Sequence, residues 1–182
     1  MNSIAKKIAL AGILAAMAVI LYIFPTFPIF PMFPWLEIDF ADIPALLAST
    51  LINPVIGGLV VLIRNTIHMP LSSTTMIGEL SNFIISSSFV VSVGIFTRVF
   101  SRKKKLIFSR LVISMLLGIV VQVVVAVLCN RFIMIPLFGI KISPLVYIMS
   151  GVVPFNLIKT TVSSIIFVVI YKLLIPKIRQ YI

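Results

Sequence analysis

Long apolar runs, separated by short polar or proline-containing breaks, extend along almost the whole chain. These runs predict six helices. They cover about Ser3 to Ile23, Ile43 to Ile52, Pro54 to Met69, Ile77 to Phe100, Leu106 to Ile135, and Leu145 to Ile175. An α-helix rises about 1.5 Å per residue, so crossing a hydrocarbon core of about 30 Å takes about 20 residues. The second and third helices are too short, and we expect them to cross as a broken pair or to tilt inside a bundle.

The composition of the chain identifies its class. Of its 182 residues, 61% are hydrophobic, and the mean hydropathy is +1.26. Soluble domains are usually about 45–50% apolar, so this chain lacks the polar surface that a soluble globule needs. The sequence therefore predicts an all-α integral membrane protein. We expect one six-helix transmembrane bundle over residues 1–182, without a soluble appendage.

The charge pattern predicts the orientation of this bundle. The net charge is +11, from 15 Lys and Arg against 4 Asp and Glu. The cations cluster between the apolar runs, at Lys6 and Lys7, at Arg102 to Lys105 with Arg110, and at Lys172, Lys177 and Arg179. Six helices place these clusters on one side, which the positive-inside rule assigns to the cytoplasm together with both termini. Nucleic-acid binding explains the charge less well, because basic and aromatic residues do not interleave on a soluble platform.

A proline-aromatic segment follows the first helix. Proline recurs every third residue in Phe24-Pro25, Phe27-Pro28, Phe30-Pro31 and Phe33-Pro34. This spacing favours a polyproline II strap, with prolines on one stripe and phenylalanines on another. Two roles remain open for the segment. It is either an aromatic anchor at the membrane interface beside Trp35, or a lid over an outward-facing pocket.

Two polar residues interrupt the last apolar run. Asn156 and Lys159 have i, i+3 spacing, which puts them on one helix face. A cation at bilayer depth costs about 2.5–3.5 kcal/mol on insertion scales. We therefore expect a bound guest molecule, rather than neighbouring side chains, to compensate Lys159. With Asn130, these groups offer donors and acceptors suited to a planar heterocycle such as a flavin, although other vitamins and nucleosides fit equally well.

Further polar residues lie on the third and fourth helices. Glu79 and Asn82 begin the fourth helix, and Glu79 is expected to pair with Arg64 or His68. His68 is predicted to be a hydrogen-bond partner rather than a metal ligand. Asp42 precedes Ile43-Pro44 and is predicted to cap the second helix.

Small residues crowd the first helix, among them Ala9, Gly12, Ala15 and Ala16. Such faces let another helix approach closely in lipid. The partner is either a helix of the same bundle or a second membrane protein.

Motifs for catalysis and for phosphate binding are missing from the sequence, so we expect no enzyme activity, no metal and no intrinsic ATP hydrolysis. The single cysteine, Cys129, is predicted to be an apolar filler.

Four short stretches in order along the chain resemble one known family. They are Leu36-Glu37-Ile38-Asp39-Phe40-Ala41-Asp42-Ile43-Pro44-Ala45-Leu46, Gly78-Glu79-Leu80-Ser81-Asn82-Phe83, Asn130-Arg131-Phe132-Ile133-Met134-Ile135-Pro136-Leu137, and Pro154-Phe155-Asn156-Leu157-Ile158-Lys159. Together with the six-helix plan, they resemble the substrate-binding S component of energy-coupling factor (ECF) vitamin transporters. The resemblance is strongest to the riboflavin-specific S components.

The resemblance implies a membrane-embedded subunit that captures riboflavin outside and delivers it inside. It implies ligand contacts at Asn130, Asn156 and Lys159, with Glu79 and Asn82 as further candidates. It also implies that a membrane coupling subunit docks on the first helix, and that two cytoplasmic ATPases complete the complex. The residues in the corresponding place are Ala9, Gly12, Ala15 and Ala16.

Three alternatives to this interpretation stay open. The chain can be an S component for another vitamin, thiamine or folate. It can be a structural membrane subunit that binds no ligand, its polar residues bonding only between helices. It can also be an intramembrane enzyme that uses Glu79 and His68.

Overall fold

A computed structural model describes residues 3–72, 74–101, 108–140 and 142–178 of the chain. The helices are α1 Ser3–Ile23, α2 Asp42–Leu51, α3 Pro54–His68, α4 Thr75–Ser101, α5 Phe108–Cys129, α6 Ile135–Phe138, α7 Pro144–Tyr147 and α8 Val153–Ile178. A 3₁₀ turn, Met69–Leu71, follows α3. π-helical turns at Asn130–Met134 and Ile148–Val152 join α5 to α6 and α7 to α8. The predicted fifth and sixth helices are therefore continuous rods, each with one π turn.

The six predicted helices are confirmed. Five of them are long and apolar enough to cross a membrane, at Ile4–Ile23, Pro54–Leu71, Met76–Ser101, Phe108–Phe138 and Pro144–Leu173. The prediction that the third helix is too short is therefore wrong, because the 3₁₀ turn extends α3 to 18 residues. Helix α2 has 10 residues and therefore spans about 15 Å, half of the hydrocarbon core. It packs inside the bundle against α1, α3 and α4.

Close approach at Ser49 explains how α2 and α3 fit beside α4. A Cβ atom on Gly57 would lie 2.5 Å from the Cβ of Ser49, and one on Gly94 would collide with the Ser49 hydroxyl. The absence of side chains at both positions lets three helices converge. The Ser49 hydroxyl then donates a hydrogen bond to the carbonyl of Val90 at 2.7 Å.

The core consists mainly of small and aliphatic side chains from α1 to α5. Ala18, Ala45, Leu46, Val61 and Phe89 are fully buried in one cluster. A second cluster near the outer end packs Phe33, Ile85, Ala126, Tyr147 and Val152. Many exposed side chains are also large and apolar, as expected for a surface that faces lipid. Polar groups that lie within these helices are therefore exceptions that need partners.

Two residues of the basic clusters, Arg110 and Lys172, lie at the same end of the bundle. Arg110 at the start of α5 donates a hydrogen bond to the carbonyl of Phe100 near the end of α4. The ammonium of Lys172, late in α8, lies 5.9 Å from the ring centre of Phe108. Arg102 to Lys105 and Arg179 lie outside the described residues. The opposite end, which carries the proline-aromatic segment, is the outer end by the positive-inside rule.

The proline-aromatic segment is not a regular polyproline II strap. Strand β1, Phe27–Pro28, pairs antiparallel with β2, Glu37–Ile38, so the segment turns back on itself. Its phenylalanines also differ in environment, because Phe24 is 76% exposed whereas Phe33 is 2% exposed. Phe33 packs against Gly151 and the ring of Tyr147, and this tertiary contact overrides the local repeat.

Candidate functional site

The described residues line a cavity of about 470 Å³ at the outer end of the bundle. Its walls come from α1, the 24–41 segment, α3 and α4. They also come from the rod that contains α5 and from the rod that contains α7 and α8. All five residues predicted as ligand contacts line it, namely Glu79, Asn82, Asn130, Asn156 and Lys159. The tertiary structure thus brings together residues from three distant parts of the chain. Trp35, Leu36 and Asp39 close one side, so the 24–41 segment also lies against the cavity.

The charge of Lys159 is compensated by a protein group. Its Nζ lies 2.7 Å from Oδ2 of Asp39, and the two residues are 3% and 2% exposed. The hypothesis that only a guest molecule compensates this cation is therefore wrong. Both residues nevertheless line the cavity, so the ammonium lies beside space for a ligand. Asp39 was not among the predicted ligand contacts; its signal in the sequence is an acid just before a buried helix.

Asp39 belongs to a buried row of alternating charges. The guanidinium of Arg64 lies 2.7 Å from Asp42 and 3.9 Å from Asp39, and all three residues are buried. Burial alone would raise the pKa of Asp39, but attraction by Lys159 and Arg64 outweighs it and holds the pKa of this carboxyl below its usual range. Lys159 with Asp39 and Arg64 with Asp42 therefore form two neutralised pairs at the base of the 24–41 segment.

The predicted capping role of Asp42 is wrong. The residue at the N-cap position of α2 is Ala41, and no side chain caps the helix there. Asp42 lies in the first turn, and its carboxylate binds Arg64 instead. A buried guanidinium needs a counter-charge, and this requirement decides where the Asp42 side chain points. Arg64 therefore does not serve as the partner of Glu79.

Glu79 is the centre of a second polar network. Its Oε2 accepts hydrogen bonds from the Tyr22 hydroxyl at 3.1 Å and from Asn65 Nδ2 at 3.0 Å. Its Oε1 lies 2.8 Å from Nδ1 of His68, which confirms the predicted pairing and the hydrogen-bonding role of that histidine. Asn82 donates from its amide to the Tyr22 hydroxyl. The sequence gives no signal for Tyr22 as a member of this network and none for the bonding role of Asn65, because neither residue type is unusual near a helix end.

A third set of polar groups joins α5 to α8. The Gln122 amide donates to Oδ1 of Asn156 at 3.0 Å, and Asn156 donates to the carbonyl of Val152 at 2.8 Å. Gln122 lines the cavity but was not among the predicted contacts. Its signal in the sequence is plain: it is a lone amide in the middle of a long apolar helix.

Asn130 is held by its π turn and by the 24–41 segment. Its amide donates to the carbonyl of Ala126 at 2.8 Å, and its Oδ1 accepts from the Tyr147 hydroxyl at 3.3 Å. That hydroxyl in turn accepts from the indole nitrogen of Trp35 at 3.1 Å. π turns inside α-helices are frequent at functional sites, and this one turns Asn130 toward the cavity.

The small-residue face of α1 is only partly free. Ala9, Gly12 and Ala16 are exposed, and a Cβ atom on Gly12 would meet nothing within 4 Å. Ala15 is 7% exposed and packs in the core cluster, so its prediction as a docking residue is wrong. At 3.6 residues per turn, Ala15 is rotated by about 60° from Gly12 and about 100° from Ala16, and this rotation is enough to bring it into contact with the bundle.

A family model described as "ECF transporter, substrate-specific component" matches residues 6–171. The chain belongs to this family. An S component is a subunit of a membrane transporter rather than an enzyme, and this one is a multi-pass cell-membrane protein. The alternative of an intramembrane enzyme built on Glu79 and His68 is thereby removed.

Individual relatives agree with the family. The chain is 32% identical over 145 residues to the riboflavin transporter RibU of Staphylococcus aureus (strain TCH60), an alignment that covers 76% of this chain and 74% of the relative. It is 27% identical over 186 aligned positions to the riboflavin transporter FmnP of Bacillus subtilis (strain 168), covering 96% and 95%.

A solved structure described as the S component of a bacterial ECF transporter is similar to this S component with a TM-score of 0.81 at 31% identity. The comparison covers 96% of this chain and 98% of that one. The six-helix bundle is thus the family fold over nearly its whole length.

Proposed function

We propose that this S component is the riboflavin-binding subunit of an ECF vitamin importer. It captures riboflavin at the outer face and delivers it inside with a membrane coupling subunit and two cytoplasmic ATPases. The observation that carries the proposal is that five residues chosen from the sequence line one cavity of about 470 Å³. The names of two relatives, both riboflavin transporters, support the choice of vitamin.

The chemistry of the cavity suits a flavin. Ligand sites of about 300–1,000 Å³ usually combine apolar walls with a few placed polar groups. Here Trp35, Leu36, Ile85, Met134 and Phe155 supply apolar wall for a tricyclic ring. The asparagines and Lys159 supply donors and acceptors for a uracil-like edge and for ribityl hydroxyls.

Lys159 keeps donor capacity for a ligand. An ammonium has three N–H donors, and Asp39 takes one at 2.7 Å. The pair with Asp39 cancels the charge and positions the ammonium, while the remaining N–H groups are available to ligand carbonyl oxygens. We therefore assign Lys159 two roles: it anchors the 24–41 segment and it donates to riboflavin.

Transport requires energy from partners, since the sequence contains no phosphate-binding motif. We propose that Ala9, Gly12 and Ala16 form the face on which the coupling subunit docks. All three are exposed, and small residues let two helix backbones approach closely in lipid. Ala15 is excluded from this face by its burial.

The test of riboflavin binding uses the full chain purified in detergent. We expect a yellow preparation or, after removal of flavin, stoichiometric quenching of added riboflavin fluorescence. Thiamine and folate serve as matched competitors that should not displace riboflavin. Binding of thiamine or folate in place of riboflavin would show an S component of different specificity, and binding of none would show a structural subunit; either result contradicts the proposal.

A further inference from the structure

Gln122 presents an unused hydrogen-bond acceptor at the cavity. The residue is 1% exposed, and its Oε1 has no partner among the described residues. A buried acceptor left without a donor costs about 1–3 kcal/mol. The Ser81 hydroxyl at the same cavity is also unpartnered, but a hydroxyl both donates and accepts and so does not select between ligand groups.

The orientation of the Gln122 amide follows from its neighbours. The carbonyl of Val152 can only accept a hydrogen bond, so Asn156 must turn its NH₂ group toward it, at 2.8 Å. This places Oδ1 of Asn156 toward Gln122, which must therefore donate its own NH₂ group, at 3.0 Å. The oxygen of Gln122 is consequently the end left free. A main-chain carbonyl thus determines the direction of both amides.

Gln122 lies at the deep end of the cavity. It precedes Cys129 by seven residues, which is about 10 Å along a helix. Cys129 lies beside the Ser81 carbonyl, in the outer part of α4. The free oxygen of Gln122 is therefore a buried acceptor in the inner wall of the cavity, next to the Asn156 amide on α8.

We propose that Gln122 determines specificity by accepting a hydrogen bond from a ring N–H of the ligand. An acceptor flanked by donors complements an imide edge, in which one N–H lies between two carbonyl groups. The inference rests on the proposed function, and for riboflavin the group is the N3–H of the ring. The amide of Gln122 also holds Asn156 in position.

The experiment compares riboflavin with N3-methylriboflavin, which lacks this N–H. Wild-type protein should bind the methylated compound about ten- to a hundredfold more weakly, as expected for one unpaired buried acceptor. In Gln122→Met, which keeps the length but removes the acceptor, riboflavin affinity should fall by a similar factor. The ratio of the two dissociation constants should then approach one. Val124→Met is the matched control on the lipid-facing side of α5, and it should leave both constants unchanged.

Two results would overturn this inference. Equal affinity of the wild type for both compounds would show that N3–H is not recognised, without any variant being needed. A ratio that stays high in Gln122→Met but falls in Gln122→Ala would show that the side chain excludes the methyl group sterically. Failure of the wild type to bind riboflavin at all would instead contradict the proposed function, so the two failures are distinguishable.

Discussion

The buried pair of Lys159 and Asp39 allows a quantitative prediction. Lys159→Met removes the charge but keeps an unbranched side chain of similar length. The carboxylate of Asp39 then keeps Arg64 as its nearest cation, at 3.9 Å. The substitution therefore removes the donor that faces the cavity and half of the compensation of Asp39.

The expected magnitudes follow from burial. Removing one partner of a buried pair costs about 3–5 kcal/mol, because the other charge is left uncompensated. Arg64 still attracts Asp39, with about 4 kcal/mol at 4 Å and an effective dielectric constant of about 20, so we expect the lower end of that range. Loss of the hydrogen bond to riboflavin should raise the dissociation constant by about 5- to 150-fold, equivalent to about 1–3 kcal/mol.

The assay is a double-mutant cycle with Lys159→Met, Asp39→Asn and the double variant. Riboflavin affinity is measured by fluorescence quenching, and thermal stability is measured in detergent. In both affinity and stability, the double variant should lie only slightly below the more impaired of the two single variants. This corresponds to a coupling free energy of about 1–3 kcal/mol. Lys172→Met, an exposed change on the same helix, should alter neither quantity. Effects of the two single substitutions that add within about 0.5 kcal/mol would refute the pairing.

Three further outcomes are expected. Gly12→Leu should leave riboflavin affinity unchanged and abolish uptake in cells that carry the coupling module. The lipid-facing control Val124→Leu should transport normally. Weakened riboflavin binding by Gly12→Leu would instead indicate that Gly12 packs within the bundle. The pKa of Asp39 is depressed, so its contribution to stability is complete above about pH 4 and is lost as the pH falls through the lower folded-state value. In Lys159→Met the acid midpoint of a thermal-shift series should therefore move to higher pH, and an unchanged midpoint would contradict the assigned cause. Glu79→Gln should lower the melting temperature, with a loss of about 1–3 kcal/mol, because the neutral amide cannot serve three donors; stability equal to the wild type would exclude Glu79 as the centre of its network.

Much of the bundle was predictable from local patterns. The six helices and their approximate ends follow from apolar run length and from breaks such as Asn53-Pro54. The side chain of Asn53 caps α3 by accepting from Val55 N–H at 3.0 Å, which is a short-range signal. The predicted pairing of Glu79 with His68 was also within reach, since both lie beside one loop. The five ligand candidates stood out because polar groups are rare inside apolar helices.

The errors arose where distant parts of the chain meet. The polyproline prediction failed because Phe33 packs against Gly151, a contact that no local repeat reveals. Asp42 was assigned to a cap because its buried partner Arg64 is distant in sequence. Ala15 and Ala16 are neighbours on α1, yet only one of them faces the bundle.

The sequence by itself determined that this chain is a helical membrane protein, roughly where its helices run, and which polar residues demand a partner. These properties follow from hydropathy and helix geometry, which act over a few residues. Only the tertiary structure decided what each partner is. Asp39 meets Lys159 across 120 residues, and Gln122 meets Asn156 across 34, because buried charges and amides must be paired in an interior without water. More than one set of partners could pair these buried groups, and the packing of the helices selects one of them.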